Sequence, residues 1–201
     1  MSDPRTRSAL QHRAEPSGLA IGMREVGDRG MIDLRGLAGD QAFLDAVRSV
    51  LAIDLPTSPR TSVSSGDITV LWLSVDQWLI LCPRSKVAGL LARFAPALNG
   101  IHSLAVDVSD MRSVIRLEGQ GAREVLLKGC SLDLMSGDYP PGTVRRLLFA
   151  EIAALIHVVE HDVIDLYVFR SYAEYAWDFL LIAAQAPAQI RLFGHQEVAP
   201  V

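Results

Sequence analysis

The sequence predicts an α+β protein in which one strand-strand-helix-strands-helix unit occurs twice. Three observations predict it. Apolar spacing switches repeatedly between strand-like alternation and helical periodicity along the chain. Arg29, Met31, Ile32, Leu34 and Gly36 superimpose at a constant shift on Arg112, Val114, Ile115, Leu117 and Gly119. A helix follows the glycine in each copy, and then an apolar-Asp-Leu tripeptide, Ile53-Asp54-Leu55 or Leu132-Asp133-Leu134. A unit of this kind predicts two mixed sheets facing each other, with the helices outside.

In chain order, residues 1–17 read as a loose tail, 18–100 as the first repeat, 101–186 as the second, and 187–201 as a C-terminal tail. Leu19–Val26 and Gly30–Gly36 are strands joined at Gly27-Asp28-Arg29. A helix over Asp40–Leu51 carries Phe43, Leu44, Val47, Val50 and Leu51 on one stripe. Ile68–Leu73 and Gln77–Cys82 are the next strands, and Ser85 caps a helix whose Val87, Leu90, Leu91 and Phe94 share a face. The second copy offers strands at Leu104–Val108 and Arg112–Glu118, then a short helix Gln120–Lys128 stopped at Gly129. After the Tyr139-Pro-Pro-Gly142 turn come strands at Val144–Ala150, Ala153–Val159 and Val163–Arg170. The last helix starts at Ser171, which forms a capping box with Glu174.

Composition excludes several function classes. A net charge of −4 supplies no broad basic field, so nucleic acid is not an expected partner. The apolar runs Leu71–Cys82 and Leu147–Val159 are interrupted by Asp76, Gln77 and Glu151 and are too short to span a bilayer; Met1–Pro16 has no apolar signal core. The expectation is a soluble cytoplasmic protein without a membrane partner. Cys82 and Cys130 have no metal-type spacing and read as buried thiols, with a disulfide between them as the alternative. Half of the chain is hydrophobic, an excess that suits either a thick core or surfaces covered by other chains.

No catalytic constellation stands out. Gly119-Gln-Gly121 follows a strand but lacks the third glycine of a dinucleotide turn. His157-x3-His161 has the spacing of a helical zinc pair, but its β-branched surroundings favour a strand running into a hairpin at Glu160-His161-Asp162, so no metal site is assigned. Asp107, Ser109 and Asp110 could supply a general base but fit backbone-bonded turns better. Arg112, matched with Arg29, reads as a repeated structural ion pair. A folate pocket could draw on Glu118, Glu151, Arg145 and Arg146, although spacing alone does not bring them together. The final helix, with Tyr172, Tyr175, Ala176, Trp177, Phe179, Leu180, Leu181 and Ile182, is apolar nearly all round and must be covered on two sides, either by the other half of this chain or by another chain. In the second case Arg170, Tyr172, Tyr175 and Trp177, with Trp72 and Trp78, are the candidate interface anchors.

The stretch from Val106 to Gly119 is similar to the opening strands of the folate-binding aminomethyltransferase (T-protein) fold. Residues Ala122–Leu134, the Tyr139–Gly142 turn, and Leu166–Tyr172 with Trp177-Asp178 resemble the gamma-subunit family of heterotetrameric sarcosine oxidases. That resemblance covers Leu104 to Ala184 best. It implies a T-protein-like fold and a non-catalytic role in assembly with alpha, beta and delta subunits, which carry FAD, FMN, NAD and zinc. It also implies that the complex demethylates sarcosine to glycine, forms peroxide and passes the one-carbon unit to tetrahydrofolate. The alternative is a stand-alone folate-binding one-carbon protein, an argument from fold analogy alone.

Overall fold

Two seven-residue strands carry the same alternation of buried and half-buried positions. They are β2 (Arg29–Arg35) and β7 (Arg112–Glu118), and each lies inside a five-stranded sheet. The computed structural model describes residues 8–185, so the expected tail at 187–201 lies outside the described residues, as do residues 1–7. Around these strands the chain runs β1 (Gly22–Glu25), β2, α1 (Gln41–Leu51), β3 (Ser62–Ser65), β4 (Ile68–Ser74), β5 (Gln77–Pro83) and α2 (Val87–Ala97). The order then repeats as β6 (Leu104–Asp107), β7, α3 (Ala122–Leu127), β8 (Val144–Phe149), β9 (Ile152–Glu160), β10 (Val163–Phe169) and α4 (Ala173–Ala183). The duplicated unit is present.

Its halves are not separate in space. The sheets have the orders β1-β7-β10-β9-β8 and β3-β4-β5-β2-β6, so each copy gives its first strand to the other copy's sheet. Every pairing between these strands is antiparallel, which corrects the expectation of mixed sheets. β1 and β2 are likewise not a hairpin. Gly27 and Asp28 carry the chain from one sheet to the other, and Asp28 (φ 53°) accepts from the Arg84 N–H at its carbonyl. The cause is burial: Ile21 and Met23 pack with α3 and α4, whereas Ile32 and Leu34 pack with α1 and α2.

The layers follow from strand alternation. One face of each sheet meets its helices. The other faces meet each other through Met31, Leu71, Leu79, Leu81, Leu155 and Tyr167. Helix α1 begins where expected, with the Asp40 carboxylate accepting from the N–H groups of Ala42 and Phe43. Gly36 is required because a Cβ there would stand 2.4 Å from the Phe43 ring. Gly129 plays the same part in the second half, where a Cβ would lie 2.3 Å from Phe149.

Neither Ser85 nor Ser171 caps a helix. Each lies in a 3-10 turn, Arg84–Lys86 or Arg170–Tyr172, whose backbone bonds lead into α2 and α4 without a side-chain cap. Glu174 instead binds the N-terminal segment: Arg13 Nε donates to its Oε2 at 2.9 Å, and His12 lies 2.8 Å from its Oε1. Leu10 is buried in the core beneath α4, so from Ser8 onward the expected loose tail is fastened to the body. Arg123, inside the stretch that carries the family resemblance, is buried and donates to the carbonyls of Leu134, Tyr139 and His161. That part of the motif is a staple for the loop before β8.

Candidate functional site

Between the sheets, a group of polar side chains gathers around Asp165. Register alone brings three of them together: Asp165 on β10 stands opposite Arg116 on β7 and opposite His157 on β9. Arg116 grips Asp165 through two parallel bonds, Nε to Oδ1 at 2.6 Å and Nη2 to Oδ2 at 3.0 Å. From the other sheet, Arg29 Nη1 donates to Asp165 Oδ2 at 3.3 Å and to the Tyr167 hydroxyl at 3.0 Å. Asp165 and Tyr167 are fully buried. Burial, reinforced by the Asp165 charge, pushes the Tyr167 hydroxyl well above the ordinary phenol range, and the bond to Asp165 raises Arg116.

His157, 6% exposed, completes the cluster. Ser62 on edge strand β3 donates its only hydroxyl proton to the Gly142 carbonyl at 2.9 Å, so His157 Nε2, 3.0 Å away, must donate to Ser62 Oγ. Nδ1 then carries a lone pair and has no partner among the described residues. Burial lowers the imidazole to about 4; Arg29 and Arg116 act in the same sense and Asp165 opposes them. Arg29, Ser62, Arg116, His157 and Asp165 border a cleft of about 300 Å3, whose walls also include Ser64, Thr69, Leu81 and Val159.

The chemistry this arrangement supports is binding. A serine activated by histidine would donate its proton to the ring, and here the direction is reversed. Both oxygens of Asp165 are taken by guanidiniums, so it is not placed to act as a general base. The depressed histidine makes a prediction for stability. The unfolded chain takes up a proton near pH 6.5 and the folded one only near 4, so stability is full above 6.5 and falls as pH drops through that window. The loss reaches about 3 kcal/mol. Urea midpoints measured from pH 7 to pH 4 check this, and His157→Gln is expected to flatten the slope over that range.

The sequence candidates fall in several places. His161 sits at the tip of the β9–β10 hairpin beside Asp162 and away from His157, and no metal-type cluster occurs among the described residues. Gly121 is close-packed, since a Cβ there would lie 3.1 Å from Ile21 Cγ2. Asp107 accepts from the Ser109 N–H and hydroxyl, and Asp110 pairs with Arg84 at 2.6 Å, as turn residues. Arg29 is ion-paired, but Arg112 is not. Among the described residues its guanidinium has no acid, its Nε is buried without a partner, and it lies 4.6 Å above the Phe169 ring. Burial lowers its pKa, helped by the Arg146 charge and opposed by Asp33. Glu118 pairs with Arg24, Arg146 donates to Gln77, and Glu151 occupies the β8–β9 turn (φ 73°), so the imagined folate set does not converge. Cys82 and Cys130 are free thiols, and Cys130 is only half-buried. No helix is long and apolar enough to cross a membrane among the described residues.

The sarcosine oxidase gamma subunit family model matches residues 35–186. The chain belongs to that family. The gamma subunit from Arthrobacter sp. is 31% identical over 134 residues, which is 64% of this chain and 64% of that protein. The one from Corynebacterium sp. (strain U-96) is 29% identical over 153 residues, 74% of this chain and 72% of the other. This chain thus spans about 64% of the length of the Arthrobacter relative. Among solved structures, a chain of the heterotetrameric sarcosine oxidase from Corynebacterium sp. U-96, in complex with pyrrole 2-carboxylate, aligns with a TM-score of 0.81 at 25% identity, covering 89% of this chain and 94% of that one. The glycine cleavage aminomethyltransferase T of Bartonella henselae aligns with a TM-score of 0.60 at 14% identity over 90% of this chain and 50% of its own, a likeness of fold alone.

For this member of the gamma subunit family, the candidate anchors divide by burial. Trp78 is enclosed and donates from Nε1 to the Pro56 carbonyl at 2.8 Å, and Trp177 lies on the buried face of α4 in the core, so both serve the core and offer little area to a partner. Trp72 is partly buried against the α1–α2 core. Tyr172 (47% exposed), Tyr175 (46%) and Ile182 (65%) stand outside, and Arg170 is half-buried, 3.9 Å from Asp110. On α4, Ala173, Ala176, Trp177, Leu180 and Ala183 are buried, whereas Tyr175, Asp178 and Ile182 are exposed, and Arg13 reaches Glu174 and Asp178.

Proposed function

We propose that the chain is the non-catalytic gamma-type subunit of a heterotetrameric sarcosine oxidase and acts in assembly. The observation that carries the reading is the alignment over 94% of a chain belonging to such a heterotetramer, at a TM-score of 0.81. The exposed Tyr172 in the turn before α4 and Tyr175 and Ile182 on α4 fit it, because exposed aromatic and aliphatic groups suit a protein interface. In this reading alpha, beta and delta subunits hold FAD, FMN, NAD and zinc. The complex oxidises sarcosine to glycine, forms peroxide and delivers the one-carbon unit to tetrahydrofolate.

Co-expression of the full chain with an alpha-type flavoprotein subunit and its beta and delta companions tests this. The expected result is a stable complex that oxidises sarcosine, while the chain purified alone has no flavin absorbance and no activity. Failure of the chain to associate, or sarcosine oxidation by the chain alone, overturns it.

A further inference from the structure

We propose that the inter-sheet cleft at Arg29, Arg116 and His157 is a binding site for a small carboxylate. Two guanidiniums meet one carboxylate there, and the histidine hydrogen-bonds as a neutral ring, so among the described residues the cluster carries one positive charge beyond Asp165; Glu118, whose charge also reaches Arg116, is paired with Arg24. Donors are also left over. Arg116 uses Nε and Nη2 on Asp165, and Arg29 uses Nη1 on Asp165 and Tyr167; Arg116 Nη1 and the Nε and Nη2 of Arg29 have no protein acceptor among the described residues. Both arginines border the open volume of about 300 Å3. A partly desolvated guanidinium with unused N–H groups favours a planar carboxylate, which takes two parallel bonds, over a spherical anion.

The cleft selects for size and polarity. Leu81 and Val159 supply apolar wall, and Ser64 and Thr69 place hydroxyls at the mouth. A second hollow of about 390 Å3 shares Arg29, Thr69 and Leu81, so a short tail on the carboxylate has room beyond Arg29. Polar and charged groups face His157 from four elements, Arg29 from β2, Ser62 from β3, Arg116 from β7 and Asp165 from β10, while β8 sets the apolar Val144 opposite it. A bound carboxylate adds a negative charge to this set and so raises the histidine, and by reciprocity protonation of His157 strengthens binding of the anion. The site does not depend on the assembly role. Its carboxylate comes either from a free metabolite or from an acidic side chain of a partner subunit, and one experiment separates the two.

The experiment follows the His157 Cε1–H resonance of the 13C-histidine-labelled full chain, assigned through His157→Gln, while sodium acetate replaces sodium chloride at constant ionic strength. A saturable shift, with the histidine pKa moving upward, is expected. Arg29→Gln, which leaves the Arg116–Asp165 pair in place, is expected to weaken acetate roughly tenfold or more. A linear, non-saturating shift, or an undiminished one in Arg29→Gln, overturns the proposal. Repeating the titration on the labelled chain assembled with unlabelled partners assigns the source. A retained acetate response means a free carboxylate; a resonance already at its acetate-bound position means a partner's side chain; a resonance at the chloride position that no longer responds overturns the site in the complex.

Discussion

Replacing Asp165 with alanine is expected to destabilise the chain by about 3–5 kcal/mol, the usual consequence of removing one member of a buried ion pair. The cause is what remains. Arg116 and Arg29, only 18% and 23% exposed at their side chains, would face each other across the interlayer with no carboxylate between them. Urea unfolding of the purified variant at pH 7 measures the loss. The triple replacement Arg29→Met, Arg116→Met, Asp165→Leu is expected to recover most of it, because an apolar set of similar volume carries no desolvation cost. An Asp165→Ala midpoint within about 1 kcal/mol of the parent would mean that the triad is not held as described.

The second large effect concerns Trp78. Trp78→Ala is expected to cost about 3–5 kcal/mol, since it opens a cavity beside Phe43, whose ring centroid is 5.7 Å away, and leaves the Pro56 carbonyl without its donor. The same urea measurement reads it. Tyr172→Ala, on a residue that is 47% exposed, is expected to change the stability of the isolated chain by about 0.5 kcal/mol or less. Its effect belongs to the complex, where dissociation from partner subunits is expected to accelerate by roughly fivefold or more, the size of an anchor residue's contribution. The two variants thus separate core from interface. An unchanged dissociation rate for Tyr172→Ala removes this face from the interface.

Much of the fold was legible because local chemistry and tertiary burial agree. The stripe of Phe43, Val47, Val50 and Leu51 with Asp40 ahead of it specifies α1 without reference to the rest of the chain. β2 and β7 could be matched because the same interlayer demands the same pleat in both. β3 was missed since Ser-Val-Ser-Ser has no apolar face, and it is a strand only because β4 lies beside it. The expected β1–β2 hairpin failed for the opposite reason: Gly27-Asp28 has the composition of a tight turn, but the partners of its strands are set by distant β7 and β5. The cleft was hidden by register. A charged Asp165 among Val, Ile, Leu and Tyr, and a His157 inside an apolar run, were visible anomalies in the sequence. Only the pairing of β7, β9 and β10 puts Arg116, Asp165 and His157 side by side.

The reciprocal exchange of first strands has a consequence for biosynthesis. When the ribosome has released residues only as far as α2, β2 still shows a bare edge where β6 will lie, and Met23 has no apolar layer to enter. The emerging polypeptide must therefore wait for its later half before either sheet can close, and during that delay it presents an open edge that invites aggregation. A long-range closure of this kind also slows folding, because the loop entropy is lost before the pairing compensates for it.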